Sequence, residues 1–378
     1  MIYLDNAATT FPKPDVVYEA MDTMGRKGAV NAGRGSYKLA RESSQLITET
    51  KQLLRKMLHI DMSTAVVFTP SITIAMNQIV NGLALREGAT IYLSPYEHNA
   101  VARPVYQLSK CKKIQIKELP IKPDTLEIDL ERMKYEFSKE KPDVIFCTHV
   151  SNVTGYILPV REIFNESKKY ESITILDSAQ SLGLIDVEPQ KLKADIVAFT
   201  GHKTLYGPFG IGGFVNVSGI PLDVFITGGT GSDSLNLEMP TSLEGKYEAA
   251  SINIVAVAGL NAALKAINKE QILNHEKKLT SYLLQNLKKI NGIKVYVPYP
   301  EEYQIGIVSF VFDDLNSEDL GSILDEDFDI AVRTGFHCAP FIHKYLKDEQ
   351  KLGTVRIGIS QFTTEEELDK LIEALKEI

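Results

Sequence analysis

The chain has 378 residues, 44% hydrophobic and 24% charged, with a net charge of −8 and a pI near 5.5. That length accommodates two cores, and the composition is ordinary for a soluble globular protein, with no indication of disorder. The acidic balance argues against a nucleic-acid or anionic-membrane surface, which needs clustered positive charge, so a small-molecule substrate is expected.

No apolar run is long enough to span a bilayer, and Met1-Ile2-Tyr3-Leu4-Asp5 is not a cleavable leader, so a cytoplasmic protein is expected. The cysteines Cys111, Cys147 and Cys338 have no paired spacing. Neither a disulfide framework nor a metal site is expected from them.

In chain order, Asp5-Asn6-Ala7-Ala8-Thr9-Thr10 and Phe11-Pro12-Lys13-Pro14 form a loop. Helices follow at about Asp15–Arg26 and Tyr37–Leu58, the second carrying Leu39, Leu46, Leu53 and Leu54 on a helical rhythm. Between them the turn-rich Asn31-Ala32-Gly33-Arg34-Gly35 offers an arginine that could face a cleft. From Ala65 strands and helices alternate. Strand Ala65–Phe68 runs through Ser71-Ile72-Thr73 into a helix whose first N–H groups, with the two hydroxyls, suit a phosphate; simple N-capping by Ser71 accounts for the same residues. Strand Thr90–Leu93 leads to His98, just past a strand end, where open α/β sheets bind ligands. A lone histidine is more often a satisfied structural residue.

Strands at Ile114–Ile116, Val144–Thr148 and Ile173–Leu176 follow, with helices near Asp129–Lys139 and Val160–Lys169. The last two of these strands end in His149-Val150-Ser151-Asn152 and Asp177-Ser178-Ala179-Gln180. Strand Ile196–Phe199 ends in Thr200-Gly201-His202-Lys203, then a glycine-rich turn to the strand Gly212–Val217. An amine in such low-polarity surroundings loses its charge readily and can form a Schiff base, although on this stretch alone a strand-end lysine reaching into water is the default reading. Thr227–Ser234 reads as a flexible loop. Helical periodicity from Val255 to Ile290, broken near Asn268, bridges to a second domain with strands Lys294–Val297, Val308–Phe312 and Ile330–Arg333. A helix near Ser317–Asp325 and a last one from Thr364, opened by the capping box Thr364/Glu367, complete it. The whole reads as α/β with a large central sheet and a smaller C-terminal α+β domain.

Taken together, Thr200-Gly201-His202-Lys203 with Tyr206-Gly207-Pro208 and Gly210-Ile211-Gly212, and Arg333-Thr334-Gly335-Phe336-His337-Cys338-Ala339, resemble the class V, fold-type I pyridoxal-phosphate enzymes, and within them the SufS-like cysteine desulfurases and selenocysteine lyases. The likeness runs from Leu4-Asp5-Asn6-Ala7-Ala8-Thr9-Thr10 to Arg356-Ile357-Gly358. It implies an aspartate-aminotransferase-like fold, with a mostly parallel seven-stranded-type sheet in a large domain (15–258) and a small α+β domain (1–14 and 259–378) carrying the cysteine loop. It implies that Lys203 binds pyridoxal 5'-phosphate covalently and later moves a proton. By the same likeness, Asp177 pairs with the pyridinium nitrogen, Gln180 bonds the ring hydroxyl and His98 stacks on the ring. Ile72, Thr73, Thr200 and His202 would hold the phosphate, with Ser251 of a neighbouring subunit, hence a homodimer. Asn152, Arg356 and Arg333 would meet the substrate carboxylate. Cys338 would take the sulfur of L-cysteine as a persulfide, releasing alanine, and pass it to an acceptor protein for iron–sulfur clusters or thio-cofactors.

The chain departs from the family at Ser71-Ile72-Thr73-Ile74, where Gly-(Ala or Thr)-Thr-Glu is usual, at Phe336-His337, where two histidines are common, and at Ser251, commonly threonine. Eighteen positions from Cys338 to Arg356 match the short cysteine loop of the SufS-like group. Cys147, inside an apolar strand, reads as a buried hydrophobe, and Cys111, flanked by lysines, as exposed. A selenocysteine lyase would share every residue named. An aminotransferase or C–S lyase would keep Lys203 and Asp177 without needing Cys338, and a non-enzymatic cofactor-binding protein would have no reason to retain the full set.

Overall fold

The computed structural model describes residues 1–32, 35, 37–231, 235–242 and 244–378. Gly33 and Arg34 of the turn-rich segment, and Ser232, Asp233 and Ser234 of the glycine-rich loop, lie outside them.

The first half of the chain runs β1 (Ile2–Tyr3), α1 (Asp15–Lys27), α2 (Lys38–Met57), β2 (Ala65–Thr69), α3 (Ile72–Gly82), β3 (Thr90–Leu93), α4 (Asn99–Cys111), β4 (Gln115–Glu118), α5 (Leu130–Lys139), β5 (Val144–Thr148), α6 (Val160–Lys168) and β6 (Ile173–Asp177). It continues through α7 (Pro189–Leu192), β7 (Ile196–Thr200), β8 (Gly212–Asn216), α8 (Ile254–Ala266), α9 (Lys269–Leu287), β9 (Ile293–Tyr296), β10 (Ile307–Phe312) and α10 (Ser317–Phe328). β11 (Ile330–Ala331), β12 (Arg333–Gly335), α11 (His343–Leu346), β13 (Thr354–Gly358) and α12 (Glu365–Glu377) end the chain.

Seven strands form the large sheet in the order β2-β8-β7-β6-β5-β3-β4, parallel except for β8, which runs antiparallel to both neighbours. Apart from the edge strand β4, its strands bury both faces, as a helix-covered parallel sheet requires. Successive residues alternate between two apolar layers: Val66, Ile145, Leu176 and Val197 point into one, and Val67, Phe146, Ile175 and Ile196 into the other. A second sheet, β12-β13-β10-β9, is antiparallel and packs its apolar side on residues of α9, α10 and α12.

Helix termini carry the caps that their sequences supply. Asn268 accepts from the Gln271 N–H and so starts α9 anew where the helical rhythm breaks. The Thr364/Glu367 capping box is complete. The stretch read as one strand at Ile330–Arg333 splits into β11, which pairs with β1, and β12, which pairs with β13. α8 packs against α1 and α2, while α9 contributes to the core of the second sheet.

The N-terminal loop stitches the two sheets together. Asp5 bridges to Gly358 at the end of β13, and Asn6 Nδ2 donates to the Gly358 carbonyl at 2.9 Å. A Cβ at Gly358 would stand 2.5 Å from the Ala7 nitrogen, so only glycine permits this approach.

Behind the sheet, the buried cations Lys51 and Arg55 of α2 converge on Glu244, at 2.8 and 2.6 Å, and Glu244 also accepts from the Val66 N–H at 3.0 Å. Glu248 pairs with Lys51 at 2.8 Å and accepts from the Phe68 N–H at 2.7 Å. Removing Glu244, which is one-third exposed, leaves Lys51 its Glu248 partner and Arg55 only the Thr64 carbonyl. Glu244→Ala should therefore lower stability by on the order of 2 kcal/mol, the range for losing a hydrogen bond to a charged group, read as a lower urea midpoint at unchanged m-value.

Candidate active site

β2, β3, β5, β6 and β7 all point their carboxyl ends to the same edge of the large sheet, because β8 is the one reversed strand. Each hands over to a polar segment there, which is where open α/β sheets bind ligands. Arg333 and Arg356 arrive from the other sheet, paired in register on β12 and β13.

A cavity of about 230 Å³ lies between the two sheets. Its wall brings together Ile72, Thr73, His98, Asn152, Thr200, His202, Lys203, Arg333, Cys338 and Arg356. Asp177 is fully buried beside it and acts electrostatically on Lys203. Gln180 stands one layer back, donating from Nε2 to the carbonyl of Ala7, itself a wall residue, at 2.8 Å. Ser251 is elsewhere: it accepts from Asn31 Nδ2 at 3.1 Å and lines a separate cavity.

Burial dominates the electrostatics. It lowers the Lys203 pKa to about 8, against the attraction of Asp177 and with help from Arg356. Asp177 is raised by burial, offset in part by the Ala179 N–H, which donates to Oδ1 at 2.9 Å, and by Lys203. His98 is lowered to about 3 by burial and the nearby cations Lys203, Arg356 and Arg103. Its Nδ1 accepts from the Ala100 N–H at 3.0 Å as the cap of α4, so the neutral ring carries its proton on Nε2.

The phosphate-type donors gather at one end. Ser71 caps α3 through the Ile74 N–H at 3.3 Å, and the first-turn amides of a helix have no partner within it. Thr200 Oγ1 and His202 Nδ1 are buried and find no hydrogen-bond partner among the described residues. The His202 ring stacks on Phe209 at 4.5 Å, and burial lowers its pKa to about 3.

Arg356 is clamped by two neighbours, with Nη2 on Asp5 Oδ1 at 2.7 Å and Nη1 on the Asn152 carbonyl at 2.9 Å. Nε is buried and finds no partner among the described residues. The Asn152 side chain in turn donates to the His337 carbonyl at 2.7 Å. Cys338 therefore sits on a tightly held turn. The Ala339 N–H donates to the Phe336 carbonyl at 3.0 Å, and His337 and Cys338 have φ of 47° and 57°. Two consecutive positive φ values inside such a bond are the pattern of a type I′ turn, which Asn and Gly usually fill. The Cys338 carbonyl accepts from the Asn99 N–H at 2.7 Å, tying the turn to α4. Cys338 is exposed to the cavity, Cys147 is buried and Cys111 is exposed on the surface.

The chain matches the family model described as aminotransferase class-V over residues 2–371. The chain belongs to the class-V aminotransferase family. Among the relatives of this class-V chain are a probable cysteine desulfurase of Halalkalibacterium halodurans, 32% identical over all of the chain and 92% of the relative, and one of Pyrococcus abyssi, 33% identical over all of the chain and 94% of the relative. The apo structure of a cysteine desulfurase from Thermococcus onnurineus superposes with a TM-score of 0.90 at 28% identity, covering all of this chain and 94% of the other.

The class-V fold takes pyridoxal 5'-phosphate, and the residues here fit it. Unpartnered buried groups at Thr200 and His202, together with the start of α3, would meet a phosphate, while an amine of lowered pKa stands in the same wall with a buried carboxylate beside the cavity.

Several wall and support residues carried no sequence signal. Glu97 is fully buried, accepts from Ser94 Oγ at 2.5 Å and from the Thr148 N–H at 2.6 Å, and is pushed up to about 8 by burial. It fastens the loop bearing His98 to the end of β5. Lys13 donates to Thr10 Oγ1 at 2.8 Å and the His202 carbonyl at 2.9 Å, and burial lowers it to about 8. Its place between two prolines was the one available hint.

With Lys203 at about 8, its neutral fraction should rise about ten-fold from pH 7 to pH 9 and then level off, whereas an ordinary lysine would gain about a hundred-fold and keep rising. The rate of imine absorbance growth on adding pyridoxal phosphate to cofactor-free protein should follow that curve. Borohydride trapping and peptide mapping must place the adduct on Lys203, since Lys13 shares the lowered pKa.

Proposed function

We propose that the chain is a pyridoxal-phosphate-dependent cysteine desulfurase, converting L-cysteine to L-alanine and retaining the sulfur as a persulfide on Cys338. The observation that carries this reading is Cys338 itself, an exposed thiol on a constrained turn in the wall that also holds Lys203. An aminotransferase or a lyase needs no thiol there.

Bound in this cavity, the cofactor would supply an electron sink that acidifies the substrate's α-carbon. Lys203 anchors it and, once freed, takes the α-proton and returns protons to carbon; a lysine near pKa 8 can do both near neutral pH. Asp177, the buried carboxylate, would pair with the ring nitrogen, and Gln180, one layer back, would meet the ring hydroxyl. The neutral imidazole of His98 would stack on the ring, and Ile72, Thr73, Thr200 and His202 would hold the phosphate.

Arg356 receives the substrate carboxylate, helped by Arg333 and Asn152. Asp5 and Asn152 each take one N–H from its two terminal nitrogens, so Nε–H, buried without a partner among the described residues, and the second hydrogen on each terminal nitrogen remain for the substrate. The Cys338 thiolate forms an S–S bond to the substrate sulfur as that sulfur parts from carbon. The electron pair stays with carbon, which Lys203 protonates, and a second sulfur remains on the enzyme.

Ser251, remote from the cavity of its own chain, serves the phosphate of a second copy, so the working unit is a homodimer. The chain divides into residues 15–258, which hold the cofactor, and 1–14 with 259–378, which present Cys338. The persulfide passes to an acceptor protein. No helix among the described residues is long and apolar enough to cross a membrane, and the setting proposed is the cytoplasm.

Incubation with L-cysteine should yield alanine and, with a reductant, sulfide. L-selenocysteine tested beside it reports on a lyase, by selenide release that outlasts loss of the thiol. Cys338→Ala should cut sulfide release from cysteine by at least about a hundred-fold with the cofactor's absorbance intact. Undiminished turnover in that variant would sink the persulfide mechanism.

A further inference from the structure

His343 touches neither the cavity nor any residue assigned a role above, yet both of its ring nitrogens are committed. Nε2 lies 2.9 Å from the Phe336 carbonyl and Nδ1 lies 2.7 Å from Asp348 Oδ2. The histidine and the aspartate are buried, at 3% and 1% exposure, so water does not substitute for either bond. Both partners are acceptors, and each nitrogen must carry hydrogen to bond its own. Against an ionised Asp348 the ring donates to both only as the imidazolium; a neutral ring would turn a bare nitrogen lone pair onto one of the two oxygens.

The Phe336 carbonyl is the one that closes the Cys338 turn, accepting from the Ala339 N–H. The Phe336 ring stands edge-on to His343 at 5.0 Å. Asp348 starts the turn that leads into β13, where its carbonyl accepts from the Lys351 and Gly353 N–H groups. The pair thus links the reactive-cysteine turn to the strand that carries Arg356.

We propose that His343, charged and held by Asp348, is a positioning residue for Cys338. Through its bond to the Phe336 carbonyl it keeps the strained His337-Cys338 pair in its left-handed geometry. This rests on the desulfurase reading for its catalytic consequence, though not for the protonation state. The groups facing the pair are few. His337, 6.2 Å ring to ring, is held well below its usual range by burial and by the charges of Arg356, His343 and Arg333. Tyr296 of β9 is raised by burial and by Asp348. Lys344, next to His343, is spent on Glu118. Asp348 is the carboxylate in contact, so the imidazolium depends on it.

The test uses the full-length, cofactor-loaded protein labelled with ¹⁵N-histidine, the His343 signal being assigned with His343→Gln. At pH 7 His343 should show two protonated nitrogens in the native chain and one in Asp348→Asn. Asp348→Asn should lower kcat about ten-fold, the order expected for losing one charge-assisted hydrogen bond, with KM within about two-fold. A neutral His343 in the native chain overturns the proposal, as does an Asp348→Asn enzyme whose kcat matches the native one with only its melting temperature lowered. If Asp348→Asn does not fold, the native spectrum decides. If the chain proves not to be a desulfurase, product analysis and Cys338→Ala show that separately, and the spectrum still reads the pair.

Discussion

Lys203 and Asp177 are both stripped of water, and each is pushed by that loss toward its neutral form: the amine down to about 8, the carboxyl upward. Their mutual attraction works the other way on both. A site of this kind cannot be assembled from either residue alone, because an isolated buried ion is costlier than a pair. The surrounding architecture follows from that requirement. β6 and β7 are adjacent and parallel, so their carboxyl ends bring aspartate and lysine to one edge. The reversed β8 then returns the chain without blocking that edge. Neighbouring histidines have to be neutral beside so many cations, and His98 and His202 are both held far below their usual range.

A second constraint acts across the two sheets. The Arg356 guanidinium cannot shed its proton in this pocket, so its neighbours must balance it. Asp5 from the N-terminal loop and the Asn152 carbonyl from the end of β5 do so, and Asn152 then fastens the His337 carbonyl. One arginine thereby connects the first residues of the chain, the large sheet and the cysteine turn. Its pairing with Asp5 spans 351 positions, so the amino-terminal loop is part of the site even though it contributes no secondary structure to the large sheet.

Much of this was legible in the residues. The central strands announce themselves as short β-branched and aromatic runs that end in polar residues, since burial on both faces leaves no room for alternation. Lys203, Asp177, His98, Asn152 and Cys338 were visible because each follows a strand or lies in a motif. What escaped was whatever acts through distant partners. β1 is two residues long and exists by pairing with β11, 328 positions away. Asp5, Glu97, Lys13 and the His343–Asp348 pair look like ordinary polar residues until a remote arginine, strand end or carbonyl is placed against them. Local periodicity carries no trace of such contacts.

The cysteine turn shows why those remote contacts matter to chemistry. Two consecutive non-glycine residues at positive φ cost about 1–2 kcal/mol each, and nothing in the sequence of the turn itself offsets that. The offset comes from outside: the Asn99 amide on the Cys338 carbonyl, Asn152 on the His337 carbonyl and His343 on the Phe336 carbonyl. Three successive carbonyls are thus each held by a different element, which fixes the backbone without touching the sulfur. A thiol mounted this way keeps its side chain free to approach and leave a substrate while its Cα stays in register with Lys203 across the cavity. A longer, loosely tethered loop could carry sulfur further; this one trades reach for a fixed starting position. Under the proposed desulfurase reading, that trade suits an acceptor that comes to the cavity mouth instead of a cysteine that swings out to meet it.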